Sequence, residues 1–184
     1  QMNKIIQQPM GNRDEWASPH ELYRCKGHDR WIAISVTNNV EWEALCRVIG
    51  KEDWIADVRF SDTKFRQEHV VKIDSTINAW TLGLEDYEAT RILQAAEVPA
   101  GPSLNSTRVF QDPQLRETGY ISKVRTADGE PRELPGLPWR FQSYPGLKND
   151  PAPALGQHND RIYVDILGLT RPEVTQLIED QVIY

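Results

Sequence analysis

The sequence predicts an α+β fold: a small α/β domain of antiparallel strands and packed helices, followed by a linker and a C-terminal helical tail. Three observations point to it. A β-branched run preceded by a short polar loop marks a hairpin, apolar residues then recur at helical spacing, and a dense cluster of Pro and Gly sets the last segment apart.

Residues 1–20 carry Pro9, Gly11 and Pro19 with little periodicity and read as an extended lead-in. Leu22 to Cys25 and Arg30 to Thr37 read as two strands joined by Lys26-Gly27-His28-Asp29, because Ile32, Ile34, Val36 and Thr37 favour extended backbone. Asn38 or Asn39 can cap the helix that follows, whose apolar positions Trp42, Leu45, Cys46 and Ile49 share a face before Gly50 closes it. After a helical turn around Glu52 to Ala56, Ser61 or Asp62 caps a second long helix carrying Val70, Ile73, Ile77 and Trp80 and ending near Gly83. Glu85 to Glu97 reads as a third helix, stopped by Pro99, and Val98 to Pro102 as a sharp turn.

A short helix is expected over Arg108 to Arg116, then a strand pair, Tyr120 to Thr126 and Arg132 to Phe141, joined across Ala127-Asp128-Gly129. Pro135 and Pro138 must sit at an edge or bulge, since neither can donate to a ladder. Residues 144–156 hold Pro145, Gly146, Pro151, Pro153 and Gly156 and are read as a linker. Asn159 to Leu167 reads as a helix stopped at Gly168, and Thr170-Arg171-Pro172-Glu173 as a capping box with Leu169 and Val174 as its hydrophobic staple. The domain expectation is therefore a lead-in over 1–20, a small α+β domain over 21–143, a linker over 144–156 and a helical segment over 157–184. That last segment is too small for a core of its own and needs a larger body to dock on.

Composition narrows the function. With 39% hydrophobic and 26% charged residues in 184, the chain has the make-up of an ordinary globular protein. Twenty-one basic against 27 acidic residues leave a net charge of −6, with no Lys/Arg block to neutralise a phosphate backbone, which argues against nucleic acid. The longest apolar run, Trp31 to Val36, falls far short of the roughly 20 residues a bilayer span requires, and the N-terminus has no basic-then-apolar pattern, so no membrane association and a cytoplasmic location are expected. Cys25 and Cys46 read as small buried residues, and His20, His28, His69 and His158 lack any spacing that puts two imidazoles on one helix face, so no metal is expected.

The best local candidate for a site is Gly11-Asn12-Arg13 with Ser18-Pro19-His20, a polar, turn-rich loop leading into a strand. Arg13 is suited to pair with a carboxylate or phosphate, and His20 to orient one. An interdomain loop with no ligand, and a structural role for His20, stay open beside that reading. His158, at a helix start, reads better as a capping or packing residue than as part of an anion site. Of the six tryptophans, Trp42 and Trp80 fall on core faces. No nucleophile elbow, phosphate loop or metal motif is present in the sequence.

Several blocks, taken in order, resemble the family III CoA-transferases of the formyl-CoA transferase, carnitine CoA-transferase and CaiB/BaiF-like type. They are Pro19-His20 with Tyr23-Arg24-Cys25, Asp29 to Ile34, Trp42 with Leu45-Cys46 and Ile49-Gly50, Asp57 to Phe60, Val98 to Pro102, Asp112 to Leu115, and Pro151 to His158. The resemblance implies a small domain inserted in a Rossmann-like large domain, in an interlocked homodimer. The present chain then corresponds to the C-terminal portion, its tail returning to the large domain contributed by an N-terminal half or a second copy. It also implies acyl-CoA and a carboxylic acid as substrates, no tightly bound cofactor, and transfer through an aspartyl-CoA thioester whose aspartate lies outside this chain, so that the chain alone is expected to be inactive. No catalytic residue carries over to it.

The glycine-rich loop that some members place before the first strand aligns with Gly11 to His20 but is not glycine-rich here. Glu21 and Glu97 stand where members usually have glycine and are expected to ask less of the backbone for a positive φ. The racemase branch of the family, which exchanges the proton α to the thioester, and a non-catalytic assembly or binding module remain as alternatives.

Overall fold

The computed structural model describes residues 9–126, 129–139, 142–143 and 152–184. They form two compact units that divide between Leu104 and Asn105. Most of the linker expected over 144–156 lies outside the described residues.

The first unit is built on a three-stranded antiparallel sheet, β1 (His20–Arg24), β2 (Trp31–Ser35) and β3 (Ala100–Ser103), with β2 in the centre. The register pairs Leu22 with Ala33 and Ala33 with Gly101. Period-two alternation in β2 buries Ile32 and Ile34 and turns Ala33 outward. On the buried side, Tyr23, Cys25, Ile32, Ile34 and Val36 join Trp42, Leu45 and Cys46 of α1 (Asn39–Val48) in one core. Ile73 and Ile77 of α3 (Val70–Thr81) and Ala89 and Leu93 of α4 (Asp86–Ala95) complete it. Trp42, Trp54 and Phe60 stack within that core, with ring centroids 4.8 to 6.0 Å apart. Both cysteines are buried and reduced, as the sequence suggests, and burial pushes the Cys46 thiol up to about 12. Trp80 packs only partly buried against the cluster.

Caps follow the sequence at α1, where the Asn38 side chain accepts from the Glu41 N–H. The second long helix differs from expectation. Asp62 caps a short α2 (Thr63–Glu68), the chain breaks at His69, and α3 starts afresh at Val70. The Val98 to Pro102 segment, read as a sharp turn, instead carries β3, because Pro99 pushes its predecessor to extended geometry and the run then pairs with β2. Pro102 sits on an edge strand, where a missing N–H costs no ladder bond.

At Arg24 of β1, the backbone groups that face away from β2 are satisfied by α3. Asn78 Oδ1 accepts from the Arg24 N–H at 3.2 Å, and Thr81 Oγ1 donates to the Arg24 carbonyl at 2.8 Å. That end of the β1 edge is thereby covered by helix side chains.

In the second unit, the single helix expected over Arg108 to Arg116 is two, α5 (Ser106–Gln111) and α6 (Pro113–Glu117). Asp112 is extended before Pro113 and caps α6 by accepting from the Leu115 N–H, so the proline both ends one helix and opens the next. The strand pair forms as β4 (Ile121–Arg125) and β5 (Pro131–Pro135), shorter than expected, with Pro135 paired to Ile121 at its end. Ala127, Asp128, Arg140 and Phe141 lie outside the described residues. Arg116 grips Glu133 with two hydrogen bonds of 3.0 and 2.7 Å, tying α6 to this hairpin. Residues Asp160–Ile166, expected as an ordinary helix, are wound as a π-helix, and α7 (Arg171–Glu179) opens with the anticipated capping box, the Thr170 N–H donating to Glu173 Oε2 at 2.7 Å.

Candidate functional site

At the end of the three-stranded sheet where β1 begins lies a cleft of about 440 Å³, within the range of small-molecule sites. Gly11, Asn12, Arg13 and His20, the residues singled out in the sequence, all line it, joined by Glu21 and Leu22. The opposite wall comes from Ala33, Ile34 and Ser35 of β2 and from Pro99, Ala100 and Gly101 at the start of β3.

The loop that carries these polar groups is clamped from two helices. Arg66 of α2 is fully buried and donates from Nε to the Ser18 carbonyl at 2.9 Å, and from Nη1 to the Phe60 carbonyl and Asn39 Oδ1. Its guanidinium also lies 5.2 Å from the centroid of Trp42. The neighbouring Gln67 donates to the Asp14 and Glu15 carbonyls at 3.0 and 3.1 Å. From α3, Asp74 accepts from Arg13 Nη2 at 2.6 Å and from the Tyr23 hydroxyl at 2.7 Å.

Electrostatics within the cleft are set by this clamp. The hydrogen bond that Arg13 donates to Asp74 raises the arginine's pKa although burial opposes it. Burial, reinforced by the negative charge of Asp74, pushes the Tyr23 phenol far above its ordinary value, so Tyr23 stays protonated and donates to Asp74. Burial works against ionisation of Glu21, but hydrogen bonds from the Leu22 N–H and the Asn12 side chain, with Arg13 close by, hold its carboxyl below the ordinary glutamate range. His20 Nδ1 lies 2.5 Å from the Asn12 carbonyl. A carbonyl only accepts, so Nδ1 is the donor, and in the neutral ring Nε2 is left as the acceptor.

Asp74 was not anticipated. Its place one residue after Ile73 on a core stripe is the only local sign that it turns toward the sheet rather than into solvent. Pro99 to Gly101 were missed because a segment read as a turn was not expected to supply a wall. His158 falls in the second unit, exposed, where its carbonyl accepts from the Ile162 N–H as the π-helix begins. Among the described residues no group of three His, Cys, Asp or Glu side chains is placed to hold a metal ion, and no helix is long and apolar enough to cross a membrane.

Comparison with known proteins gives the family to which this chain belongs. Residues 1–159 match CoA-transferase family III, and the chain belongs to that family. A probable CoA-transferase of Mycobacterium tuberculosis is 31% identical over 168 residues, covering 91% of this chain and 21% of that relative. The formyl-CoA:oxalate CoA-transferase of Escherichia coli O157:H7 is 28% identical over 178 residues, covering 94% of this chain and 42% of its own length. This chain therefore spans between about a fifth and two fifths of these relatives. A crystal structure of a CAIB/BAIF family protein from Brucella suis matches with a TM-score of 0.70 and 21% identity, over 89% of this chain and 42% of that one. A hypothetical protein from M. tuberculosis matches with a TM-score of 0.65 and 24% identity, over 79% and 39%. Both show the α+β fold.

Proposed function

We propose that this chain is the C-terminal portion of an enzyme that moves CoA from an acyl-CoA thioester to a carboxylic acid. The observation that carries the proposal is the family match together with a cleft formed where the Gly11 to His20 loop meets the sheet. In this reading an aspartate outside the chain attacks the thioester carbonyl and expels the CoA thiolate, leaving a mixed anhydride. The thiolate then attacks the aspartyl carbonyl and releases the donor carboxylate, and the acceptor carboxylate takes CoA from the resulting aspartyl thioester.

The part of the present residues is to bind and orient. Gly11, Asn12, Arg13 and His20 form one wall of the acyl-CoA site, and the clamp by Arg66, Gln67 and Asp74 fixes that wall before substrate arrives. His20, its Nδ1 held by the Asn12 carbonyl, offers Nε2 as an acceptor. Coenzyme A is substrate rather than resident cofactor, the enzyme is a cytoplasmic interlocked dimer, and the tail returns to its large domain.

A CoA-transfer assay tests this. The 184-residue chain alone should be inactive, and the enzyme that also contains the family's N-terminal portion should transfer CoA between an acyl-CoA and a carboxylate. Full transfer by the chain alone, or none by the longer enzyme with any of a panel of acyl-CoA donors, would contradict it.

A further inference from the structure

Among the described residues the cleft is lined by one arginine, and that arginine is already engaged through Nη2. Arg13 Nη2 lies 2.6 Å from Asp74 Oδ2 and 3.7 Å from Glu21 Oε2, while its Nη1 is buried without a hydrogen-bond partner. A ligand entering the cleft thus meets a cation flanked by two carboxylates. Glu21 itself is held in place by the Leu22 N–H at 2.9 Å and by Asn12 Nδ2 at 2.5 Å, both donating to Oε1. The remaining wall is uncharged. Leu22, Ala33 and Gly101 form a single row across β1, β2 and β3, and a Cβ added at Gly101 would meet nothing within 4 Å. Small side chains in that row leave the space above the sheet open to an apolar group.

We infer that this cleft selects acyl groups that carry no distal carboxylate, and that Glu21 is the residue that sets this specificity. A second carboxylate would face Glu21 beside an arginine already shared with Asp74, with no lysine or second arginine among the described lining residues to pair it, and would lose its hydration in doing so, whereas an alkyl chain covers Leu22 and Ala33 without penalty. Removing the Glu21 charge leaves Arg13 with one partner and the wall less negative. The inference rests on the acyl-CoA reading above for the nature of the ligand.

The test uses the 184-residue chain and two thioesters with the same five-carbon backbone, pentanoyl-CoA and glutaryl-CoA, with binding followed at the backbone amides of Ala33 and Gly101 by NMR. Pentanoyl-CoA should bind at least tenfold more tightly. Glu21→Gln keeps an oxygen for both hydrogen bonds but not the charge, and should bring the ratio below threefold by strengthening glutaryl-CoA. Gly101→Leu, filling open space on an edge strand, should weaken pentanoyl-CoA. Equal or tighter binding of glutaryl-CoA by the unmodified chain, a ratio indifferent to Glu21→Gln, or no shift at these amides with either thioester would overturn the inference. Selective binding of pentanoyl-CoA here, combined with failure of the longer enzyme to transfer CoA, would uphold the inference and sink the functional proposal.

Discussion

Gly50 and Glu97 occupy the same position in the same kind of helix ending. At Gly50 φ is +69°, with the Lys51 N–H returning to the Cys46 carbonyl, and at Glu97 φ is +61°, with the Val98 N–H returning to the Leu93 carbonyl. The expectation that a glutamate at 97 spares the backbone a positive φ is therefore wrong. The Val98 and Leu93 side chains are both buried in the core, and that packing holds the turn in place against the cost of a Cβ. Glu97→Gly should raise unfolding stability by about 0.5–1 kcal/mol, the left-handed penalty less the extra freedom glycine has when unfolded, and Gly50→Ala should lower it by about 1 kcal/mol. Urea denaturation measures both, and a destabilised Glu97→Gly would refute the argument.

Asp57 gives a residue-scale test in pH. The Arg59 side chain and backbone N–H bind its carboxylate and hold it at about 2, against 3.8 for the free group. A depressed carboxyl stabilises the fold above its unfolded value, and the contribution fades as pH falls through the folded one. Asp57 should titrate near 2 by carboxyl-detected NMR, and Arg59→Ala should return it toward the ordinary range. An unchanged midpoint in that variant would show that the arginine is not the cause.

At the scale of elements, α2 is six residues long, yet it governs the loop that forms the candidate site. Arg66 replaces carboxylate partners with two main-chain carbonyls, Asn39 Oδ1 and Thr63 Oγ1, which take four hydrogen bonds from its guanidinium, and with the face of Trp42, all without a buried counter-charge. Arg66→Ala should cost about 3–5 kcal/mol by leaving those acceptors buried and unpaired and opening a cavity. Arg66→Lys should cost less but still loosen the loop, read as faster amide exchange at His20. Stability of Arg66→Ala within 1 kcal/mol of the parent chain would contradict this role.

Neither the break at His69 nor the pairing of β3 was legible in advance, and the reasons are physical. Val70, Ile73 and Ile77 announce a helix, but nothing local says that Thr63 to Glu68 must tilt away from it so that Arg66 can reach Ser18. A run containing Pro99, Gly101 and Pro102 carries every mark of a turn, and only the presence of β2 alongside makes it a strand. The hairpin, the caps at Asn38 and Thr170 and the core faces of α1 and α3 were readable because they depend on neighbours within one or two turns. The loop candidates at 11–13 and 20 were readable as polar turn residues, while their partner Asp74 lies 61 residues from Arg13 and depends on how α3 crosses β1.

For the molecule as a whole, the two units differ in how much they bury. Among the described residues, all but one of the buried hydrophobic residues belong to the first, and in the second only Val174 joins them. Ile166, Leu167, Val182 and Tyr184 remain 59 to 71% exposed on the C-terminal segment. Apolar surface of that kind seeks a cover, in line with the expectation that the tail docks on a larger body. Size-exclusion chromatography with light scattering should show mass rising with concentration for the chain alone, and Ile166→Ser with Leu167→Ser should reduce it. A single monomeric mass at all concentrations would show that the surface is satisfied within the chain.

In the proposed reading, this chain shapes and orients a CoA thioester whose covalent chemistry is done on an aspartate outside it. The most direct test of that reading is to incubate the longer enzyme with acyl-CoA, trap the carboxyl thioester with hydroxylamine and map the modified residue by mass spectrometry. An aspartyl hydroxamate outside residues 1–184 is the expected result, and an adduct on a carboxylate of this chain, such as Glu21 or Asp74, would contradict it.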